Sequence, residues 1–169
     1  MKKVLFVALL ASVALSAAAK KKLAITMTGE NLATLTQVTD NQEPCLDPYG
    51  GDNGAALFFT VRENGKYYNI YKKDNPFSAA MSQKTSGKNY NRTPCFNPAT
   101  GKLAFSCKQD GASSADLYVI DVDGNNLTQL TINKSYDGQP YWTTDGYIYF
   151  VSDRGNDAGN YQIWRFKYE

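Results

Sequence analysis

The chain has 169 residues, with 18 basic and 16 acidic side chains and no histidine. Without Lys2 and Lys3, which belong to the leader described next, 16 charges of each sign remain. A mature chain of zero net charge lacks the electrostatic footprint that nucleic-acid phosphates or anionic lipid demand, and the missing histidine excludes Ser-His-Asp and Cys-His catalysis, histidine metal sites and histidine pH switching.

Residues 1–19 read as a bacterial signal peptide that is removed on export. Lys2-Lys3 form the basic start, residues 4–15 the apolar run, and Ser16-Ala17-Ala18-Ala19 the small-residue cleavage site. A buried N-terminal helix is the alternative for this stretch. The run is too short to cross a bilayer, and no later segment is longer, so neither membrane insertion nor a nucleic-acid partner is expected. The expected location is the periplasm or the medium, and the mature chain, 20–169, has the size of one domain.

The mature sequence repeats. Pro44-Cys45-Leu46-Asp47-Pro48, Pro94-Cys95-Phe96-Asn97-Pro98 and Pro140-Tyr141-Trp142-Thr143-Thr144 start 50 and 46 residues apart. Each is followed by an apolar run (Leu57-Phe58-Phe59, Leu103-Ala104-Phe105, Ile148-Tyr149-Phe150) and then by Ile70-Tyr71, Leu117-Tyr118 or Ile163-Trp164. A period in the forties with several short strands per unit marks a radial β array. Taking the middle copy as guide, strand A lies at Pro94-Cys95-Phe96, with the proline at the strand start. Strand B covers residues 102–107, strand C 116–121 and strand D 126–131. Strand D carries Thr128-Gln129-Leu130-Thr131, echoed by Thr36-Gln37-Val38-Thr39 and by Ser82-Gln83-Lys84-Thr85. Turns fall at Asn64-Gly65, Thr100-Gly101, Asp123-Gly124-Asn125 and Asp145-Gly146. The expected fold is all-β, with three four-stranded β-propeller blades in repeats at about 37–85, 86–131 and 132–169.

The pattern P-x-W-[ST]-x-D-G, then an I-x-F-x-S-D-R strand, an I-W or L-Y strand, D-x-D-G-x and L-T-x-L-T, resembles the TolB-type β-propeller repeat. Pro140-Tyr141-Trp142-Thr143-Thr144-Asp145-Gly146 with residues 148–154 carries it most fully. Leu46 and Phe96 stand where that family usually has tryptophan, and the first hairpin turn reads as stretched over residues 49–54. The resemblance implies six blades and a protein partner at the cell envelope. Residues 23–36 align with 117–131 and read as outer strands of a closing blade. Two chains of three blades would then close a six-bladed homodimeric ring; an open wedge docked on a larger protein is the alternative.

Cys45 and Cys95 occupy one repeat position in this alignment, and Cys107 ends a strand. All three read as buried thiols, with a Cys45–Cys95 bridge as the alternative. Asp121-Val122-Asp123-Gly124-Asn125 lacks the spacing and closing glutamate of a calcium loop, and no cofactor is implied. Asp47, Asp145 and Asp153 have structural roles before catalytic ones. The D-to-A loops, which line one end of a propeller channel, hold the candidate binding residues Glu43, Tyr90, Arg92, Tyr136, Asp137 and Gln139. Tyrosines, amides and single charges suit polar recognition of a protein or a glycan. The expected function is a non-catalytic binding scaffold. Its rival is a carbohydrate-binding or carbohydrate-active protein with carboxylates in the channel.

Overall fold

A computed structural model describes residues 37–169. The leader at 1–19 and the closing-blade strands expected at 23–36 lie outside the described residues. β1 (Cys45–Gly51), β2 (Ala56–Glu63), β3 (Tyr67–Lys73) and β4 (Ser82–Gln83) form a first antiparallel blade. β5 (Tyr90–Asn97), β6 (Lys102–Lys108), β7 (Asp116–Asp121) and β8 (Thr128–Gln129) form a second. β9 (Asp137–Trp142), β10 (Tyr147–Ser152) and β11 (Gln162–Lys167) supply three strands of a third. The fold is all-β as expected, and a single 3-10 turn, Asp52–Gly54, is the only helical element among the described residues.

The outermost strands are short because a threonine finishes what they begin. Thr85 Oγ1 accepts the Ile70 amide at 2.8 Å while Lys84 N donates to the Ile70 carbonyl at 2.7 Å. Thr131 Oγ1 takes the Leu117 amide at 2.9 Å, and Leu130 N donates to the Leu117 carbonyl at 2.7 Å. The recurring T-x-x-T element thus has a physical function: its last hydroxyl satisfies a buried strand-C amide that would otherwise lack a partner.

The ladder register corrects the alignment of the first repeat. Tyr49 pairs with Phe58, Cys95 with Ala104 and Tyr141 with Tyr149. The equivalent prolines are therefore Pro48, Pro94 and Pro140, each 46 residues from the next, and Pro44 is not one of them. Gly50, not Leu46, stands at the position of Phe96 and Trp142. From Tyr49 to Ala56 the first hairpin is as long as the second from Cys95 to Lys102, so its turn is not stretched.

The inner strands also begin earlier than expected. Tyr90, Asn91 and Arg92 belong to β5, and Asp137, Gly138 and Gln139 to β9. Pro94 and Pro140 sit inside strands rather than at their starts. They are tolerated because each follows a β-bulge residue. In β1 and β5 the register skips from Leu46 to Tyr49 and from Arg92 to Cys95, so Pro48 and Pro94 have no ladder partner to disappoint. The preceding residues Asp47, Thr93 and Gln139 take left-handed backbone angles, with φ of 49°, 52° and 51°.

Blades pack face to face. Phe58 and Ile70 of the first blade meet Leu103, Phe105, Tyr118 and Ile120 of the second, while Ala104, Leu117 and Val119 meet Trp142, Ile148 and Phe150 of the third. Each fully buried large side chain contributes about 2 kcal/mol. Volumes are exchanged between equivalent sites. Gly51 lies where a Cβ would come within 2.7 Å of the Phe58 ring, and the register equivalents of these two residues in the second blade are Asn97 and the smaller Ala104. The outward face of the third blade is open. Tyr141 and Ile163 are 61% and 70% exposed, whereas their register equivalents Cys95 and Leu117 are 1% and 0% exposed.

All three cysteines are free, so the Cys45–Cys95 bridge does not form. In the corrected register the two are not equivalent: Cys45 matches Asn91, and Cys95 matches Tyr49. Cys95 and Cys107 are buried as expected, but Cys45 is only half-buried and donates to Asn41 Oδ1 at 3.1 Å.

Candidate functional site

A cleft of about 670 Å³ opens where the bulged inner strands meet the loops that follow β6 and β10. Tyr90, Arg92, Tyr136 and Gln139, four of the six residues expected from sequence, line it. β5 delivers the first two from neighbouring positions, and the bulge turns Gln139 outward. Residues 47, 93 and 139 with their prolines also line a second depression of about 370 Å³.

The other two expected residues are elsewhere. Glu43 precedes β1 and accepts the Asn64 amide at 3.3 Å, bracing the β2–β3 turn. Asp137 is fully buried and is a packing element rather than a contact residue. Its Oδ2 accepts from Asn133 Nδ2 at 2.8 Å and from the Arg154 guanidinium, and Oδ1 has no partner among the described residues.

The geometry adds residues that the sequence did not single out for binding. Asp47 reaches from the first blade to the second, accepting Arg92 Nε and Nη2 at 2.9 Å each and the Thr93 amide at 3.3 Å. Burial pushes the Asp47 carboxyl up, but the Arg92 guanidinium and the Thr93 amide outweigh it and hold it below the usual range. Asp153 accepts the Gly159 amide at 3.0 Å and the Tyr136 amide at 2.8 Å, and these two bonds lower its pKa. Lys108, Lys134, Ser113, Ser114 and Tyr161 complete the part of the rim that matters for ligand chemistry. Burial raises the Tyr136 phenol, the neighbouring Tyr161 adds to this, and Arg92 opposes it. Tyr136 and Tyr161 meet edge to face, with ring centroids 5.4 Å apart. The clue in the sequence was the 46-residue spacing of the x-Pro pairs, which puts Asp47 beside Thr93 and Gln139.

Among the described residues no group of three or more acidic, cysteine or histidine side chains could hold a metal ion, and no helix is long and apolar enough to cross a membrane.

Bulged inner strands, threonine-closed outer strands and face-to-face blade packing define a β-propeller repeat protein. A sequence model of the TolB beta propeller domain matches residues 2–169, and the chain belongs to that family. Among solved structures it is similar to TolB from Acinetobacter baumannii, at 23% identity and a TM-score of 0.65, over 78% of this chain and 31% of that one. It is also similar to a putative TolB from Agrobacterium tumefaciens, at 25% identity and a TM-score of 0.60, over 73% of this chain and 43% of that one. A puromycin-hydrolyzing peptidase from Mycobacterium tuberculosis shares the fold at 15% identity and a TM-score of 0.58, over 75% of this chain and 21% of that one. The chain thus matches less than half the length of each of these proteins.

Proposed function

We propose that this chain is an exported, non-catalytic scaffold of the bacterial envelope that receives a partner protein in the cleft between its blades. The observation that carries this reading is the convergence of Tyr90, Arg92, Tyr136 and Gln139 on one polar cleft. Export rests on the leader pattern at 1–19, and a protein partner agrees with membership of the TolB propeller family. The carbohydrate-active rival needs a carboxyl group kept protonated to act as general acid. Asp47 and Asp153, the two carboxylates lining the cleft, are both held ionised by their hydrogen bonds. A photo-crosslinking side chain at Gln139, exposed on the rim, is expected to trap one discrete protein in vivo. The same probe at Leu127, exposed outside the cleft, should trap none. Equal trapping at both positions would remove the cleft from the account.

A second element of this reading is the homodimeric six-bladed ring. It is supported by the open outward face of the third blade, whose register equivalents in the second blade are covered by a further blade. An open apolar face of this kind favours association. Light scattering of residues 20–169 is expected to give twice the chain mass, with Ile163→Glu shifting it to that of one chain. A wild-type protein that stays at single-chain mass at high concentration would eliminate the ring.

A further inference from the structure

The charge pattern of the cleft says what kind of partner segment it fits, an inference that rests on the partner-binding reading above. Both carboxylates that line the cleft point their acceptor capacity inward. Asp47 is held by Arg92 and by the Thr93 amide, and Asp153 by the amides of Tyr136 and Gly159. Lys108 and Lys134 line the same cleft, and among the described residues neither has an acidic partner. The charged groups left open to a ligand are therefore two ammonium groups, which only donate, beside the hydroxyls of Ser113 and Ser114 and the phenol of the half-exposed Tyr161, which can donate.

The surplus is modest. Three cations against two carboxylates leave one positive charge, and the one guanidinium among them is committed to Asp47. That arrangement lacks the free planar fork that recognises phosphate in two-point fashion. It suits single carboxylates on a flexible chain, each taken by one lysine. We propose that the cleft binds an extended acidic peptide segment, with Lys108 and Lys134 pairing its carboxylates and the hydroxyls of the loop after β6 taking its backbone carbonyls.

The test is selection of random dodecapeptides displayed on phage by the folded chain, with the enriched pool sequenced and binding measured by fluorescence anisotropy. The expected pool is acidic. Each of Lys108→Gln and Lys134→Gln should weaken its binding about five-fold, the range of a half-exposed ion pair. Raising the salt should weaken it further. Lys66→Gln and Lys167→Gln, outside the cleft, should leave it unchanged. Both cleft lysines reach solvent, so their variants should keep the wild-type melting temperature, which circular dichroism checks. An enriched pool that is neutral or basic, or one indifferent to both lysines yet blocked by Gln139→Trp, would overturn the acidic class while leaving the cleft as a protein site. A pool indifferent to Gln139→Trp as well would overturn both. Lysine-dependent binding of oligogalacturonate, with no peptide enriched, would replace the peptide by an acidic glycan and so refute the proposal.

Discussion

The two blade junctions solve one problem with different chemistry. Between the first and second blades, Asn69 and Asn91 occupy the buried strand positions, and Asn91 Nδ2 donates to Asn69 Oδ1 at 2.9 Å. Between the second and third blades the register equivalents are Asp116 and Asp137. Two amides can bond each other; two carboxylates can only accept. Asn133 therefore intervenes, its backbone amide donating to Asp116 at 3.3 Å and its Nδ2 to Asp137 at 2.8 Å, while Arg154 supplies charge. Burial raises the Asp116 carboxyl and the nearby Asp137 adds to it, against the bonds from Asn133, Thr131 and Gln129. The lesson is that a repeat conserves geometry more readily than polarity: one backbone frame hosts a neutral pair and a charged network.

The strongest way to break this contrast is Arg154→Ala. It leaves Asp137, at 0% side-chain exposure, without its cation, and also removes the guanidinium stacked 5.0 Å from the Phe150 centroid. We expect a loss of about 3 kcal/mol by urea denaturation at neutral pH; a loss below about 1 kcal/mol would mean the charged network is not what secures the third blade.

A smaller effect should follow from making the neutral junction resemble the charged one. Asn91→Asp sets a carboxylate against Asn69 Oδ1 with no equivalent of Asn133 to mediate, because Gly87 stands at that position. The expected cost is about 2 kcal/mol at pH 7. Its sign with pH follows from linkage. The new carboxyl has a folded pKa above its unfolded one, so the penalty should shrink as pH falls through the folded value. Melting temperatures measured from pH 7 to pH 4 should converge on wild type. Divergence would show that the buried position tolerates charge without mediation.

Asp47→Asn gives the smallest and opposite response. Asp47 has a depressed folded pKa, so its contribution is present above the unfolded value of about 3.9 and lost as pH falls through the folded one. The substitution should cost about 1 kcal/mol at neutral pH and flatten the acid limb of the stability profile. An unchanged acid limb would assign that limb to other carboxylates.

Much of this architecture was legible in the chain. The T-x-x-T elements, the apolar triplets and the Asn64-Gly65 turn mark strands and hairpins by residue type alone, and their backbone angles follow from it, with φ of 51° and 65° at the turn. The register of the first repeat was not, because Pro44 and Pro48 both flank the same motif. Only the ladder skip between Leu46 and Tyr49 tells which proline is the repeat proline. Four cleft residues could be found because Tyr90 and Tyr136 hold one repeat position and Arg92 and Gln139 follow them within three residues. Lys108, Asp153 and Tyr161 could not, since they reach the cleft from neighbouring strands and loops whose separation in sequence carries no trace of their proximity. Asp137 was misjudged for a related reason: alternation along β9 sends it inward, and that alternation begins only once the strand's true start is known.

The bulges of the inner strands have a consequence beyond shaping the cleft. β1 and β9 each lie at the edge of a sheet, where an unpaired backbone invites a stray strand to dock. A proline without an N–H, preceded by a residue at positive φ, interrupts the repeat spacing that an invading strand would need. The residues that line the cleft therefore also act as a guard against aggregation. A variant that straightened one bulge would risk turning a blunted sheet edge into a sticky one.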